Sequence, residues 1–244
     1  MTTLETLPNS QITSSHYIDT GGPAQPQPSP ETFHITVLSS ENAPQPIIKA
    51  VRQTLRDWQD AAYERLAILR RKISELPLTQ QPNLQPLLQD DRILIDVAYK
   101  ELSGMFREHL NSLQTDTERR IFVLTDADQR IQGIFSGIMH RKENHFYGSA
   151  LLSAPWNISL HSPVPEEHQP LVKKGVGKSL MHAGYRYAQS QKAPTFKLKP
   201  LSNSLGFYKY IGMQEDGPNL AMPIAQKIPD SLQTTQISGL EQIV

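Results

Sequence analysis

Ile121-Phe122-Val123-Leu124 runs into Thr125-Asp126-Ala127-Asp128-Gln129, and apolar residues resume between Gln132 and His140 with Ile134, Phe135, Ile138 and Met139. Two branched and aromatic runs around a polar turn read as a β-hairpin. A third run, Phe146 to Ser153, comes after the polar stretch Arg141 to Asn144 and extends the hairpin into a three-strand meander. Upstream, Phe33-His34-Ile35-Thr36-Val37-Leu38 has the length and residue types of another strand.

Between that strand and the meander the period changes. Ile48, Val51, Leu55, Trp58, Ala62, Leu66 and Leu69 recur in steps of three and four, which predicts a long helix ending before Pro77. A second helical stripe runs through Leu87, Ile95, Ala98, Leu102 and Met105 or Phe106, widened by Leu88, Ile93, Leu94 and Val97. Downstream, Leu160 to Pro170 reads as a loop and Gly175 to Ser190 as a helix with Val176, Leu180, Ala183, Tyr187 and Ala188 inward. Thr195-Phe196-Lys197-Leu198 is a short strand, Leu205 to Ile211 a brief helix before Gly212, and Leu220 to Ile224 a last strand. A meander succeeded by strand and helix crossings predicts an α/β (α+β) domain: a mixed, mostly antiparallel twisted sheet flanked by helices, with enlarged N-terminal helices.

Composition bounds the function. The 244 residues carry 24 Lys+Arg against 24 Asp+Glu, so no basic excess is available for a polyanion, and a nucleic-acid partner is not expected. Without cysteine there are no disulfides, thiolate nucleophiles or thiolate metal sites. The histidines lack metal-ligand spacing, and no bound metal is expected. Met1 to Glu5 has neither a basic nor an apolar leader region, and no run of 18 apolar residues occurs. A cytoplasmic protein with no membrane partner is the expectation. Residues 1–31, rich in Thr, Ser, Gln and Pro, read as a disordered or loosely attached tail, 32–225 as one domain and 226–244 as a C-terminal tail.

The sharpest local feature is Lys173-Lys174-Gly175-Val176-Gly177-Lys178-Ser179, two glycines at the start of a helix. Glycine permits close approach, and the first amides of a helix are free to meet an anion. Two nucleotide motifs fail here. A P-loop ending in Gly177-Lys178-Ser179 would need glycine at Val172, and the dinucleotide pattern would need it at Leu180.

The segment resembles the acyl-CoA-binding signature of the Gcn5-related N-acetyltransferase superfamily, [Q/R]-x-x-G-x-[G/A], filled here by Val172, Lys173, Lys174, Gly175, Val176 and Gly177, with Val172 as the departure. Ser204-Leu205-Gly206-Phe207-Tyr208-Lys209-Tyr210-Ile211-Gly212-Met213 is similar to the family's A-x-x-F-Y-x-x-x-G-F ending. The asparagine often seven residues before the tyrosine is Leu201, although Asn203 is nearby. Leu151-Leu152-Ser153-Ala154-Pro155-Trp156-Asn157 resembles a Leu-x-Thr-Ala-Pro-Trp-Asn phrase of a bacterial subgroup. These motifs span only Leu151 to Met213.

The resemblance implies a GNAT-like fold and acetyl-CoA as co-substrate. Its diphosphate would lie on Lys173, Lys174, Gly175, Val176, Gly177, Lys178 and Ser179, with Asn203 nearby. The thioester would lie between strands Phe146–Ser153 and Thr195–Lys199, with amides around Leu152 and Ser153 polarising its carbonyl. Tyr208 is the implied general acid, a phenol being protonated at neutral pH. Glu166 and His168, with His161 and Glu167, are candidate bases in the preceding loop. Trp156 is either a pocket wall or core packing, and Asn157 is a candidate for holding the strand gap. The acceptor would be an amine on a small molecule or a protein, and the long helices could serve a homodimer. Two other classes stay open: a non-catalytic acyl-CoA or ligand-binding module, and an interaction protein presenting the helices to a partner.

Overall fold

The computed structural model describes residues 32–201, 204–225, 227–233 and 237–238. The expected tail 1–31 and Asn203 lie outside the described residues.

The strand runs fall where their residue types put them: β1 (Phe33–Leu38), β2 (Arg119–Thr125), β3 (Ile131–His140), β4 (His145–Ser153), β5 (Thr195–Leu198) and β7 (Asn219–Pro223). Two strands are additional. β6 (Gln214–Asp216) is wholly exposed and pairs only with β7, and such a short charged edge strand carries no apolar alternation to read. β8 (Ile237–Ser238) pairs in parallel with β1. All eight form one sheet in the order β6-β7-β5-β4-β3-β2-β1-β8. Its pairings are antiparallel except β1–β8 and β4–β5.

The sheet is covered on both faces, which is why Ile121, Phe122, Val123 and Leu124 are all buried. Phe122, Leu124 and Phe135 join Phe146, Phe196 and Tyr187 on the face that packs α4 (Val176–Ser190). Ile121, Val123 and Ile134 turn to the opposite face, against α1 (Gln45–Ser74). α1 buries Ile48, Val51, Leu55, Trp58, Ala62 and Leu66 as the periodicity predicts, with Pro46 in its first turn, where no amide partner is lost. The second helical stretch is longer than expected. It opens at α2 (Gln81–Ile95), passes through a π-helical segment (Asp96–Leu102) and closes as α3 (Ser103–Ser112). The brief helix is α5 (Leu205–Tyr210).

The stretch expected as a C-terminal tail is instead partly tied to the domain. Leu232 is fully buried and Ser231 Oγ donates to the Ile211 carbonyl at 2.9 Å. Among the described residues no helix is long and apolar enough to cross a membrane, and no cluster of His, Cys, Asp or Glu is suited to a metal ion.

Candidate active site

β4 and β5 run parallel for only three pairs, Phe146 with Phe196, Tyr147 with Lys197 and Gly148 with Leu198. Beyond them β5 ends, while β4 continues to Ser153 along β3. The parting coincides with a bulge. Ser136 pairs with Ala150 and Gly137 with Gly148, so Ser149 is an extra residue on β4. A bulge bends its strand and re-aims the residues beyond it. The small residues beside it are required by packing: a Cβ on Gly137 would lie 2.2 Å from the Phe146 ring, and one on Gly148 3.0 Å from Phe135.

Register decides which amides face the gap. The Ala154 amide donates to the Gln132 carbonyl at 2.9 Å, and Leu152 pairs with Ile134 two positions earlier in the same ladder. Alternation then directs the Leu152 amide into β3 and those of Leu151 and Ser153 toward the gap. Leu152 is therefore corrected as a thioester-polarising donor: its side chain is buried on the α1 face and its amide belongs to the sheet. Ser153 keeps its amide for the gap, while its carbonyl accepts the Tyr99 hydroxyl at 2.8 Å. Tyr99 is fully buried, and burial holds its phenol well above the usual range.

Over the same point sits the start of α4. Gly175 is its N-cap, in the left-handed region at φ 82°, with no side-chain cap. The first intrahelical bond runs from the Ser179 amide to the Gly175 carbonyl at 2.8 Å. The amides of Val176, Gly177 and Lys178 therefore have no partner within the helix. Val176 packs so tightly on β3 that a Cβ on Gly133 would lie 2.6 Å from its side chain, and Gly133 is the β3 residue paired with Ser153. The bare amides are thus pinned beside the free end of β4. Phe207 of α5 covers Gly177, 3.3 Å from where a Cβ would stand.

The other expected anion contacts divide. The Lys173 amide is already given to Asn157 Oδ1 at 2.7 Å. Ser179 is buried, and its amide is bonded within the helix. Lys174 is exposed and Lys178 half-buried on the same turn, placed to add positive charge.

Asn157 anchors that turn to the sheet. Its Nδ2 donates to Gln132 Oε1 at 2.9 Å, Gln132 also accepts Trp156 Nε1 at 3.1 Å, and Gln132 Nε2 donates to Asp126 at 2.8 Å. A buried relay therefore runs from the β2–β3 turn to the glycine loop. Trp156 belongs to this relay and packs at a tilt against His168, 5.2 Å between ring centroids.

A second clamp, which sequence reading did not find, holds the chain after β4. Arg65, 3% exposed, donates to the carbonyls of Pro155, Ile158 (3.3 Å) and Ser162. Asp91, 2% exposed, accepts the amides of His161 and Ser162 at 2.8 and 2.7 Å. Burial lowers the Arg65 pKa, opposed by Tyr99 and Asp91. Arg65 interrupts no pattern because it lies beside the apolar stripe of α1, so only its tertiary partners distinguish it from a surface arginine.

Tyr208 is 8% exposed, and its phenol is pushed up to about 12 by burial, opposed by a hydrogen bond with the Ser204 side chain. His161 lines a cleft of about 400 Å3 between α2 and the clamped loop. Glu166 and Glu167 are exposed on a 3-10 turn, and the His168 ring lies beside Trp156. None of these three lines the cleft, so Glu166 and His168 are not placed as bases on its wall.

No protein-family model matches the chain, and no curated protein matches it. Among solved structures, nourseothricin acetyltransferase is similar over 45% of this chain and 68% of its own, at 17% identity and a TM-score of 0.35. Tetrahymena GCN5 is similar over 57% and 90%, at 16% identity and 0.38. A chimera of the Vibrio cholerae spermidine N-acetyltransferase SpeG and hSSAT is similar over 78% and 94%, at 13% identity and 0.41. Identities this low leave the chemistry to be read from the site's own residues.

Proposed function

We propose that this chain is an N-acetyltransferase that moves the acetyl group of acetyl-CoA to a primary amine by direct attack. The observation that carries the reading is the row of bare amides at Val176, Gly177 and Lys178, pinned beside the end of β4 that runs on past its pairing with β5. An anion at a helix start is typically stabilised by about 0.3–1 kcal/mol, more where partly buried, and a diphosphate presents several oxygens to the row. The extended thiol arm would then lead into the gap, where the amides of Leu151 and Ser153 are the donors for a thioester oxygen.

The bond accounting is simple. The amine nitrogen forms a C–N bond to the acetyl carbon, the C–S bond breaks, the nitrogen sheds a proton and the thiolate gains one. Tyr208, a phenol that is protonated at neutral pH, is our choice of donor to sulfur. His161, which lines the cleft, is our choice to accept the amine's proton through water. Proximity of the two substrates supplies much of the remaining acceleration.

The test is amide exchange of residues 174–179 at saturating acetyl-CoA, with thiol release measured over a panel of amines. Protection together with amine-dependent thiol release supports the transferase. Protection with no turnover of any amine assigns the chain to the alternative, a non-catalytic acyl-CoA-binding module. No protection removes both readings.

A further inference from the structure

The geometry points to an acceptor of defined character: a primary amine carried on an apolar alkyl or arylalkyl body, seated in the cleft between α2 and the clamped loop. This rests on the transferase reading. The cleft's volume, about 400 Å3, lies at the small end of the range for small-molecule sites, roughly 300–1,000 Å3.

Its position ties it to the strand gap. Leu201 lies just past the end of β5, and Ser159 and His161 lie shortly past the end of β4, so the chain leaving both parted strands lines the cleft. The opposite wall is α2 and the start of the π-helical segment, ending at Val97. Two residues further on, Tyr99 reaches the Ser153 carbonyl. Along the helix Val97 is thus the lining residue nearest the gap and the exposed Asp90 the farthest, which we take as the mouth.

The lining sets the chemistry. Ile93 and Leu201 are 53% and 39% exposed, and with Leu94 and Val97 they leave an uncovered apolar wall leading inward. Asp91 is 2% exposed, and its carboxylate is turned to the amides of His161 and Ser162. Among the described lining residues, Asp90 is the solvent-exposed carboxylate. Magnitudes decide between an apolar acceptor and a polycationic one. An exposed ion pair strengthens binding at most about fivefold, whereas each methylene buried on the wall contributes about fourfold. Two or three methylenes outweigh the distal cation, and a further ammonium in mid-chain would face the apolar wall unpartnered. Asp90 then serves to draw the protonated amine to the mouth.

The experiment compares butylamine, hexylamine, 1,5-diaminopentane and spermidine as acceptors at saturating acetyl-CoA, for the wild type and Ile93→Asp, with acetyl-CoA affinity measured by calorimetry for each protein. Ile93 is exposed, so its replacement leaves the fold intact. Expected are a kcat/KM for hexylamine about tenfold above butylamine, both diamine and triamine below hexylamine, and loss of that chain-length dependence in Ile93→Asp with acetyl-CoA affinity unchanged. Spermidine or 1,5-diaminopentane matching hexylamine, or an Ile93→Asp variant with the same chain-length dependence, overturns the acceptor assignment alone. Acetyl-CoA binding without turnover of any of the four amines also overturns it while leaving the donor site standing. Failure of acetyl-CoA to bind removes the donor reading and the acceptor with it.

Discussion

Tyr208 combines a position one could read from the chain with a property one could not. Its place in the Phe207-Tyr208 pair is visible in the sequence, but the shift of its phenol to about 12 comes from burial on α5. Replacing it with Phe keeps the ring and removes the proton: kcat should fall about 10- to 100-fold with acetyl-CoA affinity unchanged, as steady-state kinetics and calorimetry would show. Because the folded value lies above the usual 10, the associated stability is complete below pH 10 and lost as pH rises through about 12. The Tyr208→Phe variant should lose less stability over that window. His109 has the opposite sign. Burial first, then Arg119, lowers its pKa to about 4, against a usual 6.5, and its buried Nδ1 has no hydrogen-bond partner. Its contribution is present above pH 6.5 and lost as pH falls through about 4. A His109→Leu variant should therefore show a smaller drop in Tm between pH 7 and 4 than the wild type, measured by calorimetric scanning; an equal drop would place the acid sensitivity elsewhere, at His145 or His182, whose pKa values are also lowered by burial.

At the scale of elements, the strands, long helices and glycine-rich helix start were readable because each carries its own period or its own glycines. Their joints were not. Asn157 meets Lys173 across 16 positions and Gln132 across 25, and no local pattern encodes such a meeting. Asn157→Leu cuts both bonds. It should weaken acetyl-CoA binding about tenfold by freeing the glycine loop, while thermal stability falls by about 1–3 kcal/mol for the polar groups left unpaired. The π-helical segment is a second joint: widened turns often mark functional positions, and this one carries Tyr99 to the Ser153 carbonyl. Tyr99→Phe should cost about 1 kcal/mol of stability and lower kcat several-fold with little change in KM for acetyl-CoA. A fall in acetyl-CoA affinity instead would mean that Tyr99 supports the diphosphate turn and not the thioester end.

At the scale of the molecule, a single open sheet carries one helical layer on each face, and the candidate site is the place where its central parallel pair comes apart. Closure of the α4 side depends on residues beyond 225, since Leu232 completes that core and Ser231 bonds Ile211. Ending the chain after Ala225 should cost about 2–5 kcal/mol, the range for losing a buried leucine, read as a lower denaturant midpoint; an unchanged midpoint would make that stretch dispensable. Two-residue β8 and charged β6 escaped sequence reading because strands that short have no period to detect. Apolar alternation dictated the sheet, and helical spacing dictated α1, since both patterns act through which face of an element must leave water. The glycines announced the helix start for the same local reason, a backbone without a Cβ. The direction of the Ser153 amide, the clamp of Arg65 and Asp91 on the loop, and the apolar wall facing it came only with assembly. They depend on register, on a one-residue bulge and on contacts between residues as many as 97 positions apart, and such contacts exist only once the chain has closed on itself.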